Sequence, residues 1–231
     1  MAERHLHGAP PPDSEVAKRR RTAIAAGHSG DHATAIRLCA DPEPVVRAAA
    51  LGALARFGVL TDSALGHALA DTAPEVRRRA LELSIETSTN IASDISTGTG
   101  TGTLLDDPDP TVVEVACWVA GERTTHADQS VGPLTRIATS HDDPLCREAA
   151  VAALGALGHP DGLDAVLAGL DDKPAIRRRA VLALAAFEGP EVVDALEAAL
   201  GDRDWQVRQG AEDLKHLAGR PGRETLPGYD N

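Results

Sequence analysis

A ten-residue pattern recurs six times along this chain and leaves few architectures open to it. In one regular copy, residues 171–188, the sequence reads DDKPAIRRRAVLALAAFE, a turn followed by one helix. With Ile176 as position zero, the equivalent residues are Val46, Val76, Val112, Cys146 and Val207, all apolar. Four residues further on stand Ala50, Ala80, Ala116, Ala150, Ala180 and Ala211, so a position open to any helix former holds alanine each time and reads as a close-packing point. Position one is Arg47, Arg77, Arg147, Arg177 and Arg208, with Val113 the exception. Two residues before zero stand Pro44, Pro74, Pro110, Pro144 and Pro174, with Trp205 the exception. Proline belongs in a first helical turn, where its missing N–H costs no hydrogen bond. Five residues before zero come Asp41, Asp71, Asp107, Asp171 and Asp202, with His141 in the fourth copy. Self-similarity at a spacing of 30 to 36 residues predicts an array of helical hairpins, each burying its apolar face against its neighbours.

The pattern Asp-x-x-Pro-x-Val-Arg-x-x-Ala, over roughly residues 31 to 218, resembles HEAT repeats, specifically the short type found in phycobilin lyase-like proteins. The resemblance implies an all-α fold: an α-solenoid of about six HEAT-like hairpins with an N-terminal capping helix. HEAT proteins as a group are mostly interaction scaffolds, which implies a protein or peptide partner. The short-repeat branch also includes chromophore lyases and an iron-dependent hydroxylase, which implies an enzyme as the alternative. The resembled hydroxylases hold iron through His-Glu dipeptides, and none of the nine histidines here is followed by glutamate.

Composition narrows the partners. Aromatic residues are only 2% of the chain, which fits helices packed through small side chains and argues against a sheet-rich fold. A net charge of −12 disfavours phosphate-backbone binding, so nucleic acid is not expected. Cys39, Cys117 and Cys146 are odd in number and form no CxxC pair; they read as buried thiols of a reducing, cytoplasmic protein. The opening MAERHLHGAPPPDSE has no apolar core of signal-peptide length, no later run reaches roughly 18 apolar residues, and no membrane contact is expected.

In chain order, residues 1–13, with their three consecutive prolines, read as a disordered arm. A capping helix is expected over 14–26, broken by Gly27 and Gly30. The run Lys18-Arg19-Arg20-Arg21 in its middle is either a solvated face or an interaction patch. The repeat domain extends over 14–218, with hairpins pairing 31–40 with 43–57, 62–70 with 74–87, 127–140 with 144–157, 161–170 with 174–187, and 191–200 with 204–217. The third repeat is irregular: residues 88–103 contain STGTGTGT and read as a flexible linker before a helix over 110–121. This is no phosphate cradle, because no lysine follows and no strand precedes. Residues 219–231 have no periodicity and read as a disordered tail.

Candidate chemistry is sparse. His28, His32 and Cys39 fall at a glycine turn rather than on one helical face, which does not present a zinc set. No GxSxG elbow occurs, and the pairs Asp142-Asp143 and Asp171-Asp172 stand at helix starts, where capping and the macrodipole account for them. No catalytic residue, metal or cofactor is expected. A chromophore lyase would need a pocket for a large conjugated ligand, which so few aromatics make harder to build.

Two residue sets remain. On a helical wheel, position one falls inside the apolar arc. Arg47, Arg77, Arg147, Arg177 and Arg208 therefore need buried partners, and Asp41, Asp71, Asp107, Asp171 and Asp202 are expected to supply a lateral ladder. The solvent-facing arc collects positions two, three, six and nine of each second helix. In HEAT proteins the second helix lines the inner face, so the resemblance assigns Arg78, Arg79, Glu82, Glu114, Trp118, Glu148, Arg178, Arg179, Leu182, Asp213 and His216 to a binding surface. Two readings of Trp118 stay open: a binding hot spot, or a filler for the irregular third repeat, with the arginines merely paired to Glu114 and Glu148.

Overall fold

The computed structural model describes residues 14–86 and 104–218. The expected arm over 1–13, the loop over 88–103 and the tail over 219–231 lie outside the described residues. Among the described residues there are twelve α-helices, five short 3-10 turns and no strand. The chain divides into two compact units, residues 1–126 and 127–231.

In the first unit, α1 (Glu15–Ser29), α3 (Pro44–Arg56), α5 (Pro74–Glu86) and α6 (Pro110–Gly121) pack side by side in that order, and α2 (His32–Leu38) and α4 (Asp62–Leu69) lie against α3 and α5. Local chemistry sets the starts. Ser14, Asp31, Thr61 and Asp109 each accept a hydrogen bond from an amide of the first turn, and proline opens α3 and α6, satisfying donors that a helix start would otherwise orphan. The alanine column lies at the helix contacts: Ala50, Ala80 and Ala116 are fully buried. Among the described residues of the third repeat, the 3-10 turn Leu104–Asp106 precedes α6 and sends Leu105 into the core.

The first helix corrects one expectation. It runs through Gly27 and stops at Gly30, whose φ of 80° closes it in the left-handed region. Gly27 is a contact, not a breaker: a Cβ there would come within 3.0 Å of both the Cα and the Cβ of Ala53 on α3.

In the second unit, α7 (Ala127–Ser140), α9 (Leu163–Ala168) and α11 (Pro190–Ala199) alternate with α8 (Pro144–Leu157), α10 (Pro174–Ala183) and α12 (Trp205–Ala218). The second helices again pack in series, α8 on α10 and α10 on α12. Their approach is close enough that a Cβ on Gly155 would lie 2.6 Å from the Cβ of Ala183. Leu134, Leu154, Val166, Ile176, Val181 and Leu184 fill the space behind, each such side chain contributing about 1.5–3 kcal/mol by leaving water. Both α9 and α10 finish in a 3-10 turn, Gly169–Asp171 and Leu184–Ala186.

Candidate functional site

The recurring arginine anchors its own turn in all five repeats that carry it, and in four of them it also forks onto the following repeat. Its Nη1 donates to the backbone carbonyl that opens its own inter-helix turn: Arg47 to Asp41 at 2.8 Å, Arg77 to Asp71 at 2.8 Å, Arg147 to His141 at 2.7 Å, Arg177 to Asp172 at 3.0 Å and Arg208 to Asp202 at 2.7 Å. Its Nε and Nη2 form a fork on the carboxylate of the following repeat. Arg47 binds Asp71 at 2.8 and 2.7 Å, Arg77 binds Asp107 at 2.7 and 2.7 Å, Arg147 binds Asp172 at 2.7 and 2.9 Å, and Arg177 binds Asp202 at 2.9 and 3.1 Å. This is the bidentate geometry that a guanidinium offers and an ammonium cannot.

Two members of the ladder differ from expectation. The acceptor of the fifth repeat is Asp172; Asp171 is exposed and closes the 3-10 turn Gly169–Asp171, which carries the helix one residue further and moves the inter-helix turn with it. At the start, Arg19 from the basic run forks onto Asp41 at 2.8 and 3.2 Å, so α1 is a member of the ladder rather than a wholly solvated cap. The interruption is also informative. Val113 replaces the arginine where His141 replaces the aspartate, so donor and acceptor are lost at the same step. His141 keeps the second duty of the aspartate: its Nδ1 accepts from the Asp143 amide at 3.1 Å, as Asp41, Asp71, Asp107 and Asp202 accept from Glu43, Ala73, Asp109 and Asp204.

Charge follows geometry. The Arg177 hydrogen bonds, outweighing burial, hold Asp202 below the usual carboxylate range, and Arg147 does the same for Asp172. For Asp71 burial is the largest influence and pushes upward, but the Arg47 fork and the Ala73 amide together prevail and the net shift is down. Arg177 is 4% exposed, so removing either partner would strand a desolvated charge.

The second-helix faces hold the other set. In the first unit Arg78 and Arg79 both turn to Glu82 of their own helix, at 3.8 and 2.8 Å, rather than to Glu114. Arg79 also lies over Gly52, where a Cβ would meet its Nη2 at 3.2 Å. Glu114 and Trp118 stand on α6, and Trp118 is 48% exposed. In the second unit Arg179 reaches Glu148 on α8 at 3.6 Å, and Arg178 reaches Asp204 before α12 at 2.7 Å. Leu182 is left 54% exposed. Beside it a groove of about 330 Å³ runs between α8 and α10, floored by Ala152, Gly155, Ala156 and Ala183 and edged by Arg179. Asp213 and His216 are exposed on α12, lining a second depression.

Sequence reasoning missed three groups here. Arg19 was hidden in a run of four basic residues, although Asp41 lies 22 residues on, close to the 24 or 25 that separate Arg47, Arg147 and Arg177 from their acceptors. The Arg178–Asp204 pair had no column to mark it. Arg123 donates through Nη2 to both the carbonyl and hydroxyl oxygens of Ser84 at 3.1 Å, tying the end of α5 to the segment after α6.

Helical hairpins whose second helices stack in series within each unit, fastened by arginine forks, define the class of this protein: it is an α-solenoid. The family follows from comparison, since the model for HEAT repeats matches residues 102–175 and 132–214. Residues 102–214 therefore carry HEAT repeats. No curated protein matches the sequence. Among the described residues no helix is long and apolar enough to cross a membrane.

Proposed function

We propose that the chain is a non-enzymatic scaffold that holds a protein or peptide segment against the second helices of its repeats. The observation that carries this reading is the α8–α10 groove. A solenoid buries its apolar residues between repeats, yet Leu182 stands 54% exposed beside a floor of alanine and glycine. Among the described residues, the Arg179 guanidinium at its edge is held by a 3.6 Å contact to Glu148. An exposed leucine over a shallow apolar floor, rimmed by a cation, suits an apolar side chain of a partner with a polar group beside it. The lyase-like alternative receives no comparable support, because this lining offers no aromatic surface on which a conjugated chromophore would stack.

The test compares capture by the full chain with capture by Leu182→Asp from the same extract, with identification by mass spectrometry. A partner retained by the parent and lost from the variant, at equal melting temperatures, is the expected result. Identical sets of captured proteins would remove this groove from consideration. Trp118→Ala applies the same test to the first unit.

A further inference from the structure

We propose that the exposed side of α12 is a second interaction surface, separate from the α8–α10 groove. On this reading it takes an acidic segment of another protein, with an aspartate carboxylate on Arg208 and a neighbouring apolar side chain on Trp205.

Positions along α12 have counterparts one repeat earlier, on α10. On α10, positions one, two, five and six are Arg177, Arg178, Val181 and Leu182, and the α12 repeat meets all four. Asp202 takes Arg177, Asp204 takes Arg178, and Gly210 lies against Val181 and Leu182. The same positions on α12 are Arg208, Gln209, Glu212 and Asp213. The two apolar positions, Val181 and Leu182, have become Glu212 and Asp213, and Arg178 has become the neutral Gln209. Arg208 has not changed, and it is already aimed: its Nη1 donates to the Asp202 carbonyl at 2.7 Å, the anchor used by the four arginines whose forks are filled. Among the described residues no carboxylate lies against its Nε and Nη2 edge. A guanidinium fixed in this way is a preorganised carboxylate fork.

Trp205 is the independent observation. It stands where the other repeats have proline, is 64% exposed, and lies three residues before Arg208 on the same side of the helix. A solvated cap needs no tryptophan. Tryptophan and arginine are both residue types enriched at binding hot spots. The next turns carry Gln209, Glu212, Asp213, His216 and Leu217 around a depression of about 510 Å³. The acidic pair there sets the polarity of the segment: aspartate at Arg208, and a basic residue further along, over Glu212 and Asp213. The chain's own turns have this order, as in Asp41 followed by Arg47. A second copy is a poor occupant, because Asp41, Asp71, Asp107, Asp172 and Asp202 are each already held by an arginine of their own chain.

The probe is an acetylated synthetic peptide copying residues 41–50, titrated into the isotope-labelled full chain while the Arg208 Nε–H and Trp205 Nε1–H resonances are followed. The expected result is a saturable shift of both. Replacing the peptide's aspartate by asparagine, or Arg208 by lysine, should weaken binding about tenfold or more. Lysine keeps the charge and can still reach the Asp202 carbonyl, so a parent-like melting temperature shows that the variant folds; Trp205→Ala provides a second variant that leaves the turn intact. Equal shifts with the asparagine peptide, no shift up to roughly 10 mM peptide, or a shift that grows with protein concentration in the absence of peptide would each overturn the proposal, the last by naming a second copy as the occupant.

Discussion

Arg177 and Asp202 meet as a two-toothed fork, Nε to Oδ2 at 2.9 Å and Nη2 to Oδ1 at 3.1 Å, while the third arm of the guanidinium holds the Asp172 carbonyl at 3.0 Å. One side chain therefore closes its own hairpin and binds the next. Arg177→Ala should lower stability by about 2–4 kcal/mol, because it leaves a desolvated carboxylate without its cation. Arg177→Lys should recover only part of this, since lysine has no fork. Urea titration measures both, and a parent-like midpoint for the alanine variant would contradict the buried-fork account.

The same contacts give stability a pH dependence. Asp41, Asp71, Asp172 and Asp202 have folded-state pKa values below the ordinary carboxylate value. In the unfolded chain they protonate first as pH falls. Their contribution is therefore complete above roughly pH 4 and is lost as pH drops through the lower folded values. The melting temperature should fall steeply below about pH 4, and Asp202→Asn should start lower at pH 7 and lose less on acidification. Parallel curves for the two proteins would show that this aspartate does not carry the effect.

Two glycines separate contact from freedom. Gly155→Ala must push Ala183 away, since the new Cβ would lie 2.6 Å from its Cβ and 2.8 Å from its Cα, and should cost about 1–3 kcal/mol. At Gly66 in α4 an added Cβ would meet nothing within 4 Å, so Gly66→Ala should stabilise by about 0.4–1 kcal/mol through the unfolded state. Opposite signs in calorimetry are expected; a neutral Gly155→Ala would mean that α8 and α10 separate cheaply.

Trp118 is 48% exposed, so Trp118→Ala should cost less than the roughly 3–5 kcal/mol of a core tryptophan. A loss inside that range, measured by thermal unfolding, would instead make it a packing element of the third repeat.

Cys39 is half-buried, and burial pushes its thiol up to about 11; Cys117 and Cys146 are buried. None should react quickly with iodoacetamide at pH 7.5, because thiolate is the nucleophile, and all three should react in denaturant. Rapid labelling of the native chain at Cys39 would show that α2 opens readily.

Much of the fold was legible because a repeat writes each structural requirement six times. The alanines at position four and the prolines two before zero stand in columns, and no single-copy coincidence imitates that. Position-specific choices were not legible. Asp171 and Asp172 are neighbours of identical chemistry, and only the path of the Gly169–Asp171 turn decides which carboxylate meets Arg147. Gly27 reads as a helix breaker until Ala53 is seen against it. Trp118 and Trp205 look equivalent as isolated tryptophans, and their exposure depends on neighbours far away in sequence.

The two-sided arginine has a consequence for how such a chain changes length over time. Each repeat carries a donor for its successor and an acceptor for its predecessor, all in one interchangeable format. Excising a whole repeat, from the residue after position one of one copy through position one of the next (148–177), would bring Arg147 to Asp202 in place of Asp172 and leave no charge stranded. Insertions obey the same grammar. The step from Val113 to His141 is where that grammar lapses, with neither half of the lock written. A copy gained or lost there inherits a neutral junction, so that seam is marked in the sequence as the one place where the numbering of repeats is not enforced by charge.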